Sequence, residues 1–209
     1  MAKTSKKPEN QESPDEPDSK EESGKKKLGA RRRGVSDMFR TSYRTHVELS
    51  AIADNKSNMM ISINGIIISI TIAAISPKID SNPWLLLPTS ILLITCTIAL
   101  IYSILAARPR VSNEDVTLDD VRANRSNLLY FGNFFKLSRD DYVTGMEELM
   151  ADSERLYDTM ARDLHGLGIV LEKKFRLLRI AYNVFMWGLA LSVSCFILVY
   201  FLISGGGFF

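Results

Sequence analysis

The sequence predicts an all-α membrane protein: three transmembrane helices, a small cytoplasmic helical hairpin, and a long amphipathic helix leading into the first span. The first observation is that residues 57–77, 83–107 and 180–209 contain no charged side chain. The second is their length. Each block has about 20 residues or more, and at roughly 1.5 Å rise per residue each can cross a hydrocarbon core of about 30 Å. The third is the size of the rest of the chain, which is too small to bury three such helices in a soluble core. Composition conceals this segregation, since 46% hydrophobic and 24% charged residues are ordinary for a soluble protein. With a net charge of only +2, the global balance marks no nucleic-acid binder.

Residues 1–35 read as a disordered charged tail rich in Lys, Glu, Ser, Pro and Asp. Its charge is divided: residues 1–24 hold four Lys against seven acids, and residues 25–33 hold six bases and no acid. Beside a membrane span, KKKLGARRR reads as a contact for anionic lipid that fixes orientation, not as a nucleic-acid site. Residues 36–58 read as a cytoplasmic amphipathic helix capped by Ser36, with Phe39, Tyr43, Val47 and Ala51 at four-residue steps. That helix continues without a Pro into the first span, 59–76. Pro77 and Pro83 bracket a short turn, Trp84 supplies an interfacial aromatic, and the second span, 84–107, stops at ARPR. A polar start and a long, late apolar block argue against a cleavable signal peptide, so the first span is expected to be an uncleaved anchor.

The central region, 108–179, carries twelve bases and thirteen acids. Thr117 with Asp120, and Ser138 with Asp141, have the spacing of an N-cap and an acid three residues on. Tyr142, Met146, Leu149, Ser153, Leu156, Met160, Asp163 or Leu164, and Leu167 form a heptad seam. The expected hairpin turns at HGLG and returns along LEKKFRLLRIAY into the third span, 180–204. About 70 residues make a thin core, which favours self-association. Lys and Arg are dense before the first span and after the second, with only Lys78 between them. The positive-inside rule therefore places the N-terminus and the central region in the cytoplasm and the C-terminus outside.

Amides in hydrocarbon are costly unless they face protein or water. Asn58, Ser62, Gly65, Ser69 and Ala73 fall on one helical stripe, and Asn64 is read as lying beside it. Either the stripe packs among the three spans, or several copies turn it toward each other as an oligomeric seam or pore lining. No acid or base lies near the middle of a span, which argues against an ion-coupled transporter. Cys96 and Cys195 read as packing residues. His46 and His165 lack metal-ligand spacing, and GLG at 166–168 lacks the Lys of a phosphate loop, so neither a catalytic nor a metal site is expected. Lys56, Arg139, Lys174 and Arg179 read as interfacial partners of lipid phosphate. They also read as a pocket for an anionic ligand, with Phe131 of YFGNFF able to stack on a base.

Four segments carry a family resemblance: RTSYRTHVELSAIADNKSNMMISINGIIISI, the ARP exit of span two, NLLYFGNFFKLSRDDY, and DLHGLGIVLEKKFRLLRIAYNVF. Across residues 38–204 the chain closely resembles the Pycsar transmembrane effector domain of bacteria. The family's ADNKxN motif maps to Ala53, Asp54, Asn55, Lys56 and Asn58, and its FG block to Phe131 and Gly132. The pattern DLxxLGxxLxxKxxLLRxAY begins at Asp163 and runs through Leu167, Gly168, Leu171, Lys174, Leu178 and Arg179 to Tyr182.

The resemblance implies an antiphage effector in the bacterial inner membrane. A partner pyrimidine cyclase makes cCMP or cUMP during infection, the effector impairs the membrane, and the infected cell dies before phage release. No cofactor is implied beyond that activating nucleotide, and its binding residues do not carry over. No β-rich cyclic-nucleotide domain is read in this sequence, so either the helical region senses the ligand or the link is indirect. Two other readings are a membrane-anchored scaffold recruiting a soluble partner and a membrane-bound enzyme using His46, Asp54, Asp163 and His165.

Overall fold

The computed structural model describes residues 16–78, 80–109 and 115–205, and among them every regular element is helical. The elements are α1 (Glu16–Ile75), 3₁₀ turns at Ser76–Lys78 and Pro83–Leu85, α2 (Leu86–Ala107), α3 (Leu118–Arg122), α4 (Phe131–Phe134), α5 (Arg139–Ala151) and α6 (Ser153–Gly205). Three helical stretches are long and apolar enough to cross a membrane: Gly29–Lys78, Pro83–Ala107 and Ser153–Ile203. Only 11%, 22% and 11% of their most apolar windows are buried, so broad apolar faces are left bare, as a lipid-facing helix requires and a water-facing one does not tolerate.

The chain divides into two units, Met1–Ser42 and Tyr43–Phe209. Within the first, the expectation of an unstructured tail over 1–35 does not hold for 16–35, which is helical from Glu16. Residues 1–15 lie outside the described residues. Pro17 stands in the first turn, where a missing N–H costs nothing, and the rest of 16–35 is dominated by good helix formers with no further Pro. Ser36 accordingly lies inside α1 and caps nothing.

In the second unit α2 and α6 form the tightest helix pair. Beyond Pro88 in its first turn, the buried residues of α2 are small: Cys96, Ala99, Ser103 and Ala106, at steps of three and four. Facing them, α6 buries Ala181, Gly188 and Ser192. Small residues let helix backbones approach in lipid, where no hydrophobic effect pulls helices together. Thr95 fills the space where a side chain on Gly188 would stand. The Ser192 hydroxyl donates to the Pro88 carbonyl at 2.8 Å, and Trp84 lies against Phe196 with ring centroids 5.8 Å apart. Cys96 is a fully buried packing residue, as its apolar surroundings suggested.

The remaining helices build a small head. Val116, Val121, Leu128 and Leu149 are buried together, with Leu129, Phe134, Leu137, Tyr142, Met146 and Leu156 packed against them. Both expected caps form. Thr117 and Asp120 make a reciprocal capping box on α3, and the Ser138 hydroxyl accepts from the Asp141 N–H on α5. Arg122 forks onto Glu148 at 3.0 and 2.6 Å, joining α3 to α5, and Arg155 donates to the Val121 carbonyl at 3.0 Å, joining α6 to α3.

The chain breaks its helix at Asp152, not at the expected HGLG turn, which lies inside α6. Asp152 is extended (φ −112, ψ 100), and its carboxylate accepts from the Glu154 and Arg155 N–H groups at 3.0 and 3.2 Å, starting α6. A carboxylate that can bond the next two backbone donors competes with helix continuation. Gly166 and Gly168 have ordinary helical backbones inside α6. The seam residues Tyr142, Met146, Leu149 and Leu156 still meet, across the break rather than along one helix.

Candidate functional site

Residues 43–58 of α1 lie alongside the lower half of α6, and three polar arrangements mark their junction. The first centres on Asp163. This side chain is buried (5% exposed), its Oδ2 accepts from the Tyr43 hydroxyl, and its Oδ1 accepts from Asn127 Nδ2 at 2.7 Å. Asn127 in turn accepts from the Leu129 N–H at 2.9 Å. One carboxylate thus ties α1, the α3–α4 loop and α6 together. Burial pushes the Asp163 carboxyl above the usual carboxylate range.

The second is a cavity of about 360 Å³ lined by His46, Ser50 and Asp54 on one side of α1, with Leu167, Val170 and Leu171 opposite. Residues 46, 50 and 54 are four apart and share a helix face. Gly168 lies beside His46, and the His46 Nδ1 atom is buried with no hydrogen-bond partner. At its edge Lys174 donates to both Asp54 oxygens, at 2.8 and 2.9 Å, and to Ser50 at 3.0 Å.

The third is a cleft of about 390 Å³ in which Lys56 meets Phe175, Leu178, Arg179 and Tyr182. The α6 residues follow the i, i+3, i+4, i+7 pattern of one helical face. Among the described residues no acid pairs with Lys56 or Arg179, whereas Lys174 is held by Asp54 and Arg176 lies 3.9 Å from Glu172.

The sequence-selected ligand residues therefore separate. Lys56 and Arg179 share one cleft. Lys174 is engaged by Asp54 and Ser50. Arg139 is exposed at the first position of α5, and Phe131, 61% exposed, stacks on Phe135 with centroids 5.5 Å apart. Neither Arg139 nor Phe131 lines the Lys56–Arg179 cleft. The residues that sequence reasoning left without a role here are Tyr43, Ser50, Asn127, Phe175 and Tyr182. Tyr43 had a signal in its place on the amphipathic face and Tyr182 in the family pattern, while Ser50, Asn127 and Phe175 had only their place within the quoted segments.

The stripe in α1 separates as well. Asn58, Ser62 and Ser69 are exposed on the outer face and Gly65 is half-buried, while Asn64 is fully buried with Ala53, Ser57 and Met60. At about 100° per residue, Asn64 lies about 140° round the helix from the stripe axis, so it does not widen the stripe. Its Nδ2 donates to the Met60 carbonyl at 2.8 Å, and its Oδ1 has no partner within the protomer. Ser69 donates to its own helix at the Gly65 carbonyl, 2.9 Å away.

Among the described residues no three His, Cys, Asp or Glu side chains gather as a metal site. The fold and the junction together define a helical membrane protein with three apolar helical stretches, in which polar contacts tie α1, α6 and the head together. Residues 37–203 match the family described as Pycsar effector protein domain, PycTM. The chain belongs to that family, and is thus a Pycsar effector of antiphage defence and an inner-membrane protein. Searches of curated proteins and of solved structures gave no match. Many of the residues that carried the resemblance lie at the junction: Asp54, Lys56, Asp163, Leu167, Gly168, Leu171, Lys174, Leu178, Arg179 and Tyr182 bond to or line the features above, whereas Asn58, Phe131 and Gly132 do not.

Proposed function

We propose that this effector is activated by a cyclic pyrimidine nucleotide, cCMP or cUMP, made by a partner cyclase, and that it then impairs the inner membrane and kills the infected cell. It acts without enzymatic chemistry and without a cofactor beyond the activating nucleotide. The N-terminus and the head lie in the cytoplasm and the C-terminus outside.

The observation that carries this reading is the continuity of α6. It runs unbroken from the Asp163 hub, past Lys174, into the third apolar segment, so a change in the head is delivered to the membrane without a flexible joint. Lys174 couples the same movement to α1 through Asp54. A ligand shifts such an arrangement only by binding one state more tightly than the other. The exposed Asn58, Ser62 and Ser69 face supplies the surface on which copies associate in the active state.

Dye release from liposomes containing the purified full-length protein tests this directly. Leakage rises on adding cCMP or cUMP and stays at baseline with the linear monophosphates. Equal leakage with and without either cyclic nucleotide would overturn nucleotide gating, and an intact membrane potential in cells supplied with the nucleotide would favour a scaffold.

A further inference from the structure

We propose that the cleft between Lys56 on α1 and Arg179 on α6 is a binding site for a phosphodiester anion. Two cations from different helices line one space, and no acid neutralises either among the described residues. Their neighbours on the same helices do have acids: Lys174 pairs with Asp54, and Arg176 lies near Glu172. Two uncompensated like charges beside apolar walls repel each other, and a shared anion turns that repulsion into two attractions. Arg offers a planar fork and Lys a mobile point charge, the complementary pair of donors that phosphate oxygens accept.

The walls give the site a second selectivity. Phe175, Leu178 and Tyr182 stand on the same face of α6 as Arg179, so a ligand with its phosphate on the cations lays its remaining bulk on an apolar and aromatic surface. At about 390 Å³ the cleft is within the size range of small-molecule sites. A bare inorganic phosphate leaves this wall unused. A phosphodiester carrying an organic group covers it. Lys56 lies at the start of the uncharged block 57–77 and Arg179 directly precedes 180–209, so the cleft is at the membrane boundary of both helices.

Two sources supply this chemistry: the headgroup of an anionic phospholipid and the cyclic phosphate of a nucleotide. The second rests on the nucleotide-gated reading above; the first does not. In one arm, native mass spectrometry of the full-length protein extracted in mild detergent measures retained phosphatidylglycerol. In the other, equilibrium dialysis measures cCMP and cUMP binding to the protein in phosphatidylcholine nanodiscs. Lys56→Gln and Arg179→Gln, singly and together, each weaken binding about tenfold in the arm that operates. Lys56→Arg and Arg179→Lys retain most of it. Arg162→Gln, which removes an exposed partner of Asp158, changes neither arm.

Lipid retention lost in the Gln variants, with no nucleotide bound by wild type, supports the cleft and overturns nucleotide gating. Nucleotide binding that survives the double Gln variant, with lipid retention unchanged, leaves gating standing and overturns the cleft. Absence of both ligands from the wild-type protein overturns the cleft and nucleotide gating together.

Discussion

Lys174 on α6 donates to both carboxylate oxygens of Asp54 on α1, across 120 residues of sequence, and also to the Ser50 hydroxyl. The Lys174 side chain is 14% exposed and that of Asp54 40% exposed. The pair is therefore a partly desolvated clasp at the point where both helices approach their apolar segments. Removing Lys174 leaves Asp54 with open access to water but breaks every contact that this side chain makes between α1 and α6.

The first prediction follows from that asymmetry. Lys174→Met should cost about 1–2 kcal/mol, discounted for the exposure of Asp54, and Asp54→Asn somewhat less. Thermal unfolding in detergent of both single variants and the double variant gives the coupling. A double variant no worse than Lys174→Met alone indicates a shared contact, whereas additive losses would show that each side chain acts through something else.

A second prediction concerns Asp163 and pH. Burial raises its carboxyl, so the fold favours the neutral form; the Tyr43 and Asn127 donors oppose this and burial prevails. Its stabilising contribution is full below the ordinary carboxylate range and is lost as pH rises through the raised value. Asp120 and Glu148 behave in the opposite sense. Hydrogen bonds from Thr117 and Arg125 hold Asp120 low, and Arg122 holds Glu148 low, so their contributions are present at neutral pH and are lost on acidification. Asp163→Asn keeps an oxygen for Asn127 and an amide for the Tyr43 oxygen. It should remain folded at pH 7 and lose acid-side stability more steeply than wild type. Parallel melting curves for the two proteins across pH would remove Asp163 from the account.

Gly188 supports a third. A methyl group there would enter the space of the Thr95 side chain, so Gly188→Ala should destabilise the α2–α6 pair by about 1–3 kcal/mol. Thr95 spends its hydroxyl on its own helix, at the Ile91 and Leu92 carbonyls, so Thr95→Ala alone should cost little. Ala at 95 keeps the Cβ that stands in this space, so recovery in a thermal melt is expected from Thr95→Gly combined with Gly188→Ala. No recovery would mean that something other than Thr95 sets the helix spacing.

These tests separate what the sequence carried openly from what it did not. The three apolar helices were legible because an uncharged run of this length has few alternatives, and both head caps were legible because Thr117 and Ser138 act within three residues of themselves. The break at Asp152 was not. Its apolar neighbours keep helical spacing on either side, and only the local bonds from Glu154 and Arg155 decide against continuation. Of the candidate ligand set, Lys56 and Arg179 do meet, but the engagement of Lys174 by Asp54 depends on a pairing between distant segments that local spacing does not encode.

The last prediction rests on the two amides of α1. Asn58 faces outward from the protomer, and Asn64 is enclosed with Ser57 and Met60. If the outer stripe is where copies meet, Asn58→Leu should suppress cell killing while leaving insertion and the melting temperature of the purified protein near wild type. Asn64→Leu should do the reverse at the level of the protomer: a bulkier side chain of different shape in a filled site should lower the melting temperature, with killing lost only as the amount of folded protein falls. Comparing membrane-inserted amounts, melting temperatures and colony survival for the two variants decides the matter. Wild-type killing by Asn58→Leu would show that the exposed face does not carry the active assembly and that the amide is simply tolerated at the edge of the lipid.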